Sequence, residues 1–244
     1  MNIKKNYKLI PISLFIVVTF FSIKSLSAAT EDNSKSLALT DKDVNQRIDW
    51  IESRFSRGNF HAKTWQYGWT TIFSSSVLTR SYIVSNDKDP DKQFDAGVGI
   101  FTSMSGLLSV ILKPLPSSNA SALLSAMPTD TLEQRYKKLN KAEQLLKSSA
   151  FEAKRRWGWK IQTVFFAEQL LAGLAIGIVD DRPKDGLKVA TLGLLASELF
   201  TFTVPVQSIK DWDAYANGTY SRTNKSSNLF FFPHPRGIQM ALIF

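Results

Sequence analysis

"AKRRWGWKIQTVFFAEQLLAGLAIG", residues 153–177, begins with cations and indoles and then runs into apolar sequence holding one carboxylate, Glu168. Indoles beside Arg and Lys suit a lipid headgroup layer, and an apolar helix of this kind approaches the length needed to cross about 30 Å of hydrocarbon. The same residues suit the packed end of a water-soluble bundle. The stretch fixes a helix and leaves two environments open.

The sequence on either side shows a plan that occurs twice. Upstream, "PTDTLEQRYKKLNKAEQLLKSSAFEAKRR" places Leu132, Tyr136, Leu139 and Leu146 at helical spacing. Downstream, "DDRPKDG" is an acidic loop with Pro183, and "LKVATLGLLASELFTFTVPV" is a second apolar helix ended by Pro205. The first half follows suit. "LTDKDVNQRIDWIESRF" carries the stripe Val44, Ile48, Ile51 and Phe55 behind a cap formed by Thr40 and Asp43. "AKTWQYGWTTIFSSSVLTRSYIV", an acidic loop with Pro90, and the uncharged "AGVGIFTSMSGLLSVIL" complete the unit. "VNQRI" answers "LEQRY", Gly68-Trp69 answers Gly158-Trp159, and Pro90 answers Pro183, all at offsets between 88 and 93 residues. This predicts an all-α helical bundle of two tandem repeats, residues 40–116 and 129–207, packed as one domain. Each repeat is an amphipathic helix followed by an apolar helical hairpin. Gly99, Ser103 and Gly106 in one hairpin, and Gly173, Gly177, Ala190, Gly193 and Ser197 in the other, give small-residue faces for close helix contact.

The N-terminus reads differently. "MNIKKNYK" is basic, Leu9 to Ile23 is an uncharged apolar run, and "KSLSAA" supplies small residues ahead of Thr30. That order is a secretory signal, residues 1–29, with cleavage between Ala29 and Thr30 and a flexible linker over 30–39. Cleavage removes four Lys from 30 basic residues and leaves 26 against 21 acidic ones, a net charge of +5 in place of +9. An exported chain so mildly basic is not a nucleic-acid binder. Membrane lipids or another envelope protein are the expected partners, and the bacterial cell envelope, periplasm or membrane, is the expected location. The absence of Cys excludes disulfides and thiol chemistry.

Four apolar segments are long enough to span a bilayer, yet Arg80, Glu168 and Glu198 interrupt them. Ionisable groups in apolar helices pair or face a cavity, so these three are candidates for a buried ion pair, with Arg80 joined to Glu168 or Glu198 across the repeats. Trp65, Trp69, Arg155, Arg156, Trp157, Trp159 and Lys160 are candidates for a membrane-interface belt. Charge topology adds a conflict. The basic 113–160 connection belongs in the cytoplasm by the positive-inside rule, whereas a cleaved signal followed by a hairpin places it outside.

After Pro205 the chain turns aromatic. "NLFFF" and "GIQMALIF" around "PHPRG" predict a short β-hairpin in the tail, residues 208–244. Ile238, Met240 and Leu242 alternate up to the terminal Phe244, which resembles the final strand of bacterial outer-membrane barrel proteins, with Ile243 departing from the pattern. His61 and His234 have no metal-ligand spacing, and no phosphate-binding glycine loop or nucleophile elbow occurs. No cofactor and no catalytic set is expected. The primary expectation is a non-enzymatic, membrane-associated envelope protein with a structural or interaction role. The alternative is a polytopic transport or channel component with Arg80, Glu168 and Glu198 lining a polar path.

Overall fold

Helix α1 runs from Asp41 to Asn86 without a break, 46 residues or about 69 Å. Thr40 caps it, its hydroxyl accepting from the Asp43 amide at 3.3 Å and donating to the Asp43 carboxylate at 2.6 Å. The computed structural model describes residues 40–219 and the backbone of 229–234 and 237–242. The expected signal, its cleavage site at Ala29–Thr30 and the linker over 30–39 lie outside the described residues.

The sequence suggested an amphipathic helix followed by a separate apolar one. Instead both belong to α1, because nothing between Phe55 and Trp65 stops a helix except Gly58, which helices tolerate. The lower half buries Val44, Ile48, Ile51 and Phe55 against α3 (Ser117–Ser125), α4 (Leu132–Trp157) and α7 (Gln207–Ala216). Leu139 and Leu146 join that core, whereas Leu132, at the first turn of α4, is exposed. A full capping box between Thr131 and Gln134 starts α4. Lower α1 and α4 run in the same direction: Arg135 pairs with Asp41 at their starts (3.0 Å), and Arg156 meets Trp65 some 20 residues later on each helix.

Upper α1 pairs with α2 (Pro90–Ile111), and α5 (Trp159–Leu174), prolonged by a π-helical turn over Ala175–Val179, pairs with α6 (Pro183–Phe202). Pro stands in the first turn of both α2 and α6, where its missing N–H costs nothing. Glycine sets the hairpin spacing. A Cβ on Gly186 would lie 2.4 Å from the Gly173 carbonyl oxygen, and one on Gly106 would lie 2.6 Å from the Phe73 ring. Asp181 turns the tip of the second hairpin at φ 56°, a left-handed conformation that Asp tolerates better than most residues.

Three helices are long and apolar enough to cross a membrane: α2, α5 with its π-turn, and the stretch from Pro183 that contains α6. Four were expected. Upper α1 does not qualify by composition, since Arg80 and a run of Thr and Ser dilute it, but it lies antiparallel along α2. These helices bury little of themselves: 28%, 22% and 22% of their most apolar windows is covered. Beyond α7, Leu229–His234 and Gly237–Leu242 pair antiparallel with Leu229 opposite Leu242.

Candidate functional site

The junction between the amphipathic helices and the hairpins is the most organised part of the molecule. Trp65, Val110, Leu115, Phe200 and Val204 form a core there, with Trp69, Phe73, Trp157 and Phe165 packed around it. Phe200 takes four aromatic neighbours at centroid distances from 5.0 to 5.6 Å. The Trp157 indole N–H is buried with no hydrogen-bond partner among the described residues, whereas Gln66, Trp65 and Trp69 are all engaged. Gln66 donates to the Val110 carbonyl (2.9 Å) and accepts from the Leu115 amide (3.1 Å), so it holds the end of α2 and the turn after it. The Trp65 and Trp69 indoles donate to the Phe200 carbonyl and the Thr203 hydroxyl.

Arg156 crosses the same junction. It donates to Glu152 (3.0 Å), to the Ser109 carbonyl (3.2 Å) and to the Lys113 carbonyl, so it occupies acceptors that α2 leaves free at its C-terminus. Burial alone would push the Glu152 carboxyl up. The hydrogen bond from Arg155 and the charges of Arg156 and Arg155 outweigh it and hold Glu152 below its ordinary value. For Arg156 burial wins and lowers the pKa, yet a guanidinium remains charged at any physiological pH.

The expected interface belt therefore divides. Trp65 and Arg156 are core residues at 3% and 4% exposure. Trp69, Arg155 and Trp157 are half-buried, and only Trp159 and Lys160 stand out into the surroundings. Alternating cations and indoles could not reveal this split, because the face each occupies depends on the break at Gly158, where the backbone leaves the helix at ψ 144°.

The three ionisable candidates of the hairpins do not converge. Arg80 lies across Gly99 and donates to the Ser76 hydroxyl (3.2 Å) and the Asp95 carbonyl (3.5 Å), all within the first hairpin. Glu168 accepts from the Ser105 hydroxyl on α2 at 3.2 Å, and its Oε1 is buried with no hydrogen-bond partner among the described residues. Glu198 is exposed on α6. Neither carboxylate forms an ion pair with Arg80. The cation that does join the hairpins is Arg182, at their tips. It contacts Asp180 (2.7 Å), both oxygens of Asp95 and the Asp91 carbonyl (3.3 Å). The hydrogen bond to Asp95, opposed by burial and reinforced by Asp180, raises its pKa further. "DDRP" within an acidic loop was the available signal, a guanidinium directly beside two carboxylates.

Elsewhere, Asp211 of α7 is buried against Arg54 (3.6 Å) and Gln207 (3.0 Å), and Tyr215 donates to Glu143 of α4. A groove of about 360 Å³ between α1, α3 and α4 is lined by Ser53, Ser56, Ser121, Ser125 and the ion pair Lys138–Glu52 (2.7 Å). No cluster of three or more His, Asp or Glu that could hold a metal occurs among the described residues. No family model, no curated protein and no solved structure matches the chain.

Proposed function

We propose that this chain is an exported, non-catalytic protein of the bacterial cell envelope whose apolar hairpins enter a membrane, with a structural or interaction role carried by the helices that remain outside. One observation carries the reading: the hairpins turn large apolar side chains outward along their whole length. Leu78, Leu108, Val164, Phe166, Leu170, Ile178, Leu192, Leu195 and Leu199 are all exposed. A soluble protein rarely leaves so large a contiguous apolar surface to water, and lipid removes the cost.

The finer architecture belongs to the same proposal: two tandem units forming one domain, followed by a β-hairpin. The correspondences support it and extend the unit by one helix. Thr40 and Thr131 cap α1 and α4 in the same way, and Pro90 and Pro183 open α2 and α6. Leu115 and Val204 enter the junction core from equivalent turns. The short helices after them, α3 and α7, pack on α1 and α4 respectively. All these pairs keep the offset of 88 to 93 residues. The units differ where α1 passes through Gly68 unbroken and the second unit breaks at Gly158.

The transport or channel reading rests on Glu168 alone, since Arg80 and Glu198 lie apart from it, and it ranks second. Carbonate extraction of membranes tests the first reading. The chain is expected to stay with the membrane pellet, and release into the supernatant would leave a periplasmic bundle instead.

A further inference from the structure

The two ends of the apolar band differ in charge. At the hairpin tips Asp87, Asp89, Asp91, Asp95, Asp180 and Asp185 gather around Arg182 and Lys92. At the junction the balance is reversed. Lys63 stands two residues before Trp65 on α1, and Lys154 two residues before Arg156 on α4. Lys113 carries the carbonyl that Arg156 holds, and Lys160 follows the break at Gly158. At 1.5 Å of rise per residue, Lys63 and Lys154 fall within about 3 Å of the Arg156–Trp65 contact along their helix axes, and Lys160 stands in the first turn of α5, just past the break. Lys113 is tied to that level directly. Glu152, the acid on α4 at this level, is engaged by Arg155 and Arg156.

Unlike Arg156, these lysines are available. Lys113, Lys154 and Lys160 are exposed and Lys63 is half-buried, and none of the four forms an ion pair among the described residues. Aromatic rings stand out at the same level: Tyr67 is 61% and Trp159 68% exposed. Below them lies the core of the amphipathic helices, and above them the outward-facing leucines of the hairpins. A ring of amines and amphipathic aromatics at the edge of an apolar band matches the headgroup layer, where amines reach phosphate and ring edges sit among the ester groups.

We infer that the junction collar, Lys63, Lys113, Lys154 and Lys160 with Tyr67 and Trp159, binds the headgroups of anionic phospholipids in the leaflet nearest the amphipathic helices. This rests on the membrane reading and adds to it a lipid class and a side. The collar selects anionic over zwitterionic lipid because the fixed carboxylate at this level is already consumed, whereas the acidic tips repel the same headgroups at the opposite face. Each amine held near an anionic surface is worth on the order of fivefold in lipid binding.

The test uses the full chain reconstituted into vesicles of phosphatidylcholine alone or mixed with phosphatidylglycerol. Flotation after a carbonate wash first reads insertion, expected in both lipids. Spin-labelled phosphatidylglycerol and phosphatidylcholine then report which lipid the protein immobilises. A several-fold preference for phosphatidylglycerol is expected, weakened by salt and abolished when Lys63, Lys113, Lys154 and Lys160 are all replaced by Gln. A control with the tip changes Lys88→Gln and Lys184→Gln should keep the preference. Equal immobilisation of the two lipids by the wild type overturns the collar while leaving the membrane reading intact. So does an undiminished preference in the fourfold variant. Failure to float in either lipid overturns both.

Discussion

The guanidinium carbon of Arg156 stands 5.0 Å from the centre of the Trp65 ring, while its nitrogens bond Glu152 and two carbonyls at and just beyond the end of α2. One side chain thus ties together α4, α1 and the end of the first hairpin. Removing one partner of a buried ionic contact typically costs about 3–5 kcal/mol, because the charge left behind has lost both water and its mate. Arg156→Met is expected to lower stability by that amount, read as a shift of the denaturant midpoint in detergent. Arg156→Lys should fall between it and the wild type, since an ammonium keeps the charge but cannot bridge Glu152 and two carbonyls at once.

Glu152 gives the same junction a pH dependence. Its folded pKa lies below the ordinary 4.5. A carboxylate shifted in that direction contributes stability that is complete above the unfolded value and is lost as pH falls through the folded one. The melting temperature should therefore decline as pH is lowered below about 4.5. In Glu152→Gln this part of the acid slope should be missing, and the variant should be less stable at neutral pH. An acid slope unchanged by Glu152→Gln would mean that the junction does not sense this proton.

The glycines separate into two classes that a thermal melt can distinguish. Gly186→Ala forces a methyl into a gap where the Gly173 carbonyl oxygen lies 2.4 Å from the new atom, and backbone cannot step aside without parting α5 from α6. Overpacking of this kind typically costs about 1–3 kcal/mol. Gly58→Ala meets nothing within 4 Å on α1. It should be neutral or stabilise by about 0.5–1 kcal/mol, through the better helix propensity of Ala.

Helical content and the amphipathic stripe were legible because they are local. Val44, Ile48, Ile51 and Phe55 announce one face by spacing alone, and all four are buried. The small residues Gly99, Ser103 and Gly106 likewise mark a face that α1 covers. The partners of the charged residues were not legible, because they depend on rotation of one hairpin against another, which sequence spacing leaves free. Arg80 was expected to reach Glu168 or Glu198 and instead lies over Gly99, where the absent Cβ makes room for it. Trp69 and Trp159 follow equivalent glycines in the sequence, yet Trp69 is half-buried against the junction core and Trp159 stands out at 68% exposure. The break at Gly158 decides between them, and that break is set by the second unit's turn.

Leu192 offers the sharpest separation between lipid and water around the hairpins. It is 56% exposed near the middle of α6, nine residues after Pro183 and ten before Phe202. On the surface of a soluble bundle Leu192→Lys would be within about 0.5 kcal/mol of neutral, and it would improve solubility. In a bilayer the same ammonium stands near mid-depth, where insertion scales charge about 2.5–3.5 kcal/mol and the side chain is far from either headgroup layer. The variant is expected to reduce the carbonate-resistant fraction in membranes, whereas Leu192→Phe leaves it unchanged. Lys188 makes the comparison internal. It is already present on α6 one turn closer to the tip, where a long side chain reaches the interface, so Lys188→Leu should leave retention unaltered or raise it. If Leu192→Lys stays in the carbonate pellet as fully as the wild type and melts like it, Leu192 does not stand in hydrocarbon near mid-depth, and this account of the outward face of α6 is overturned.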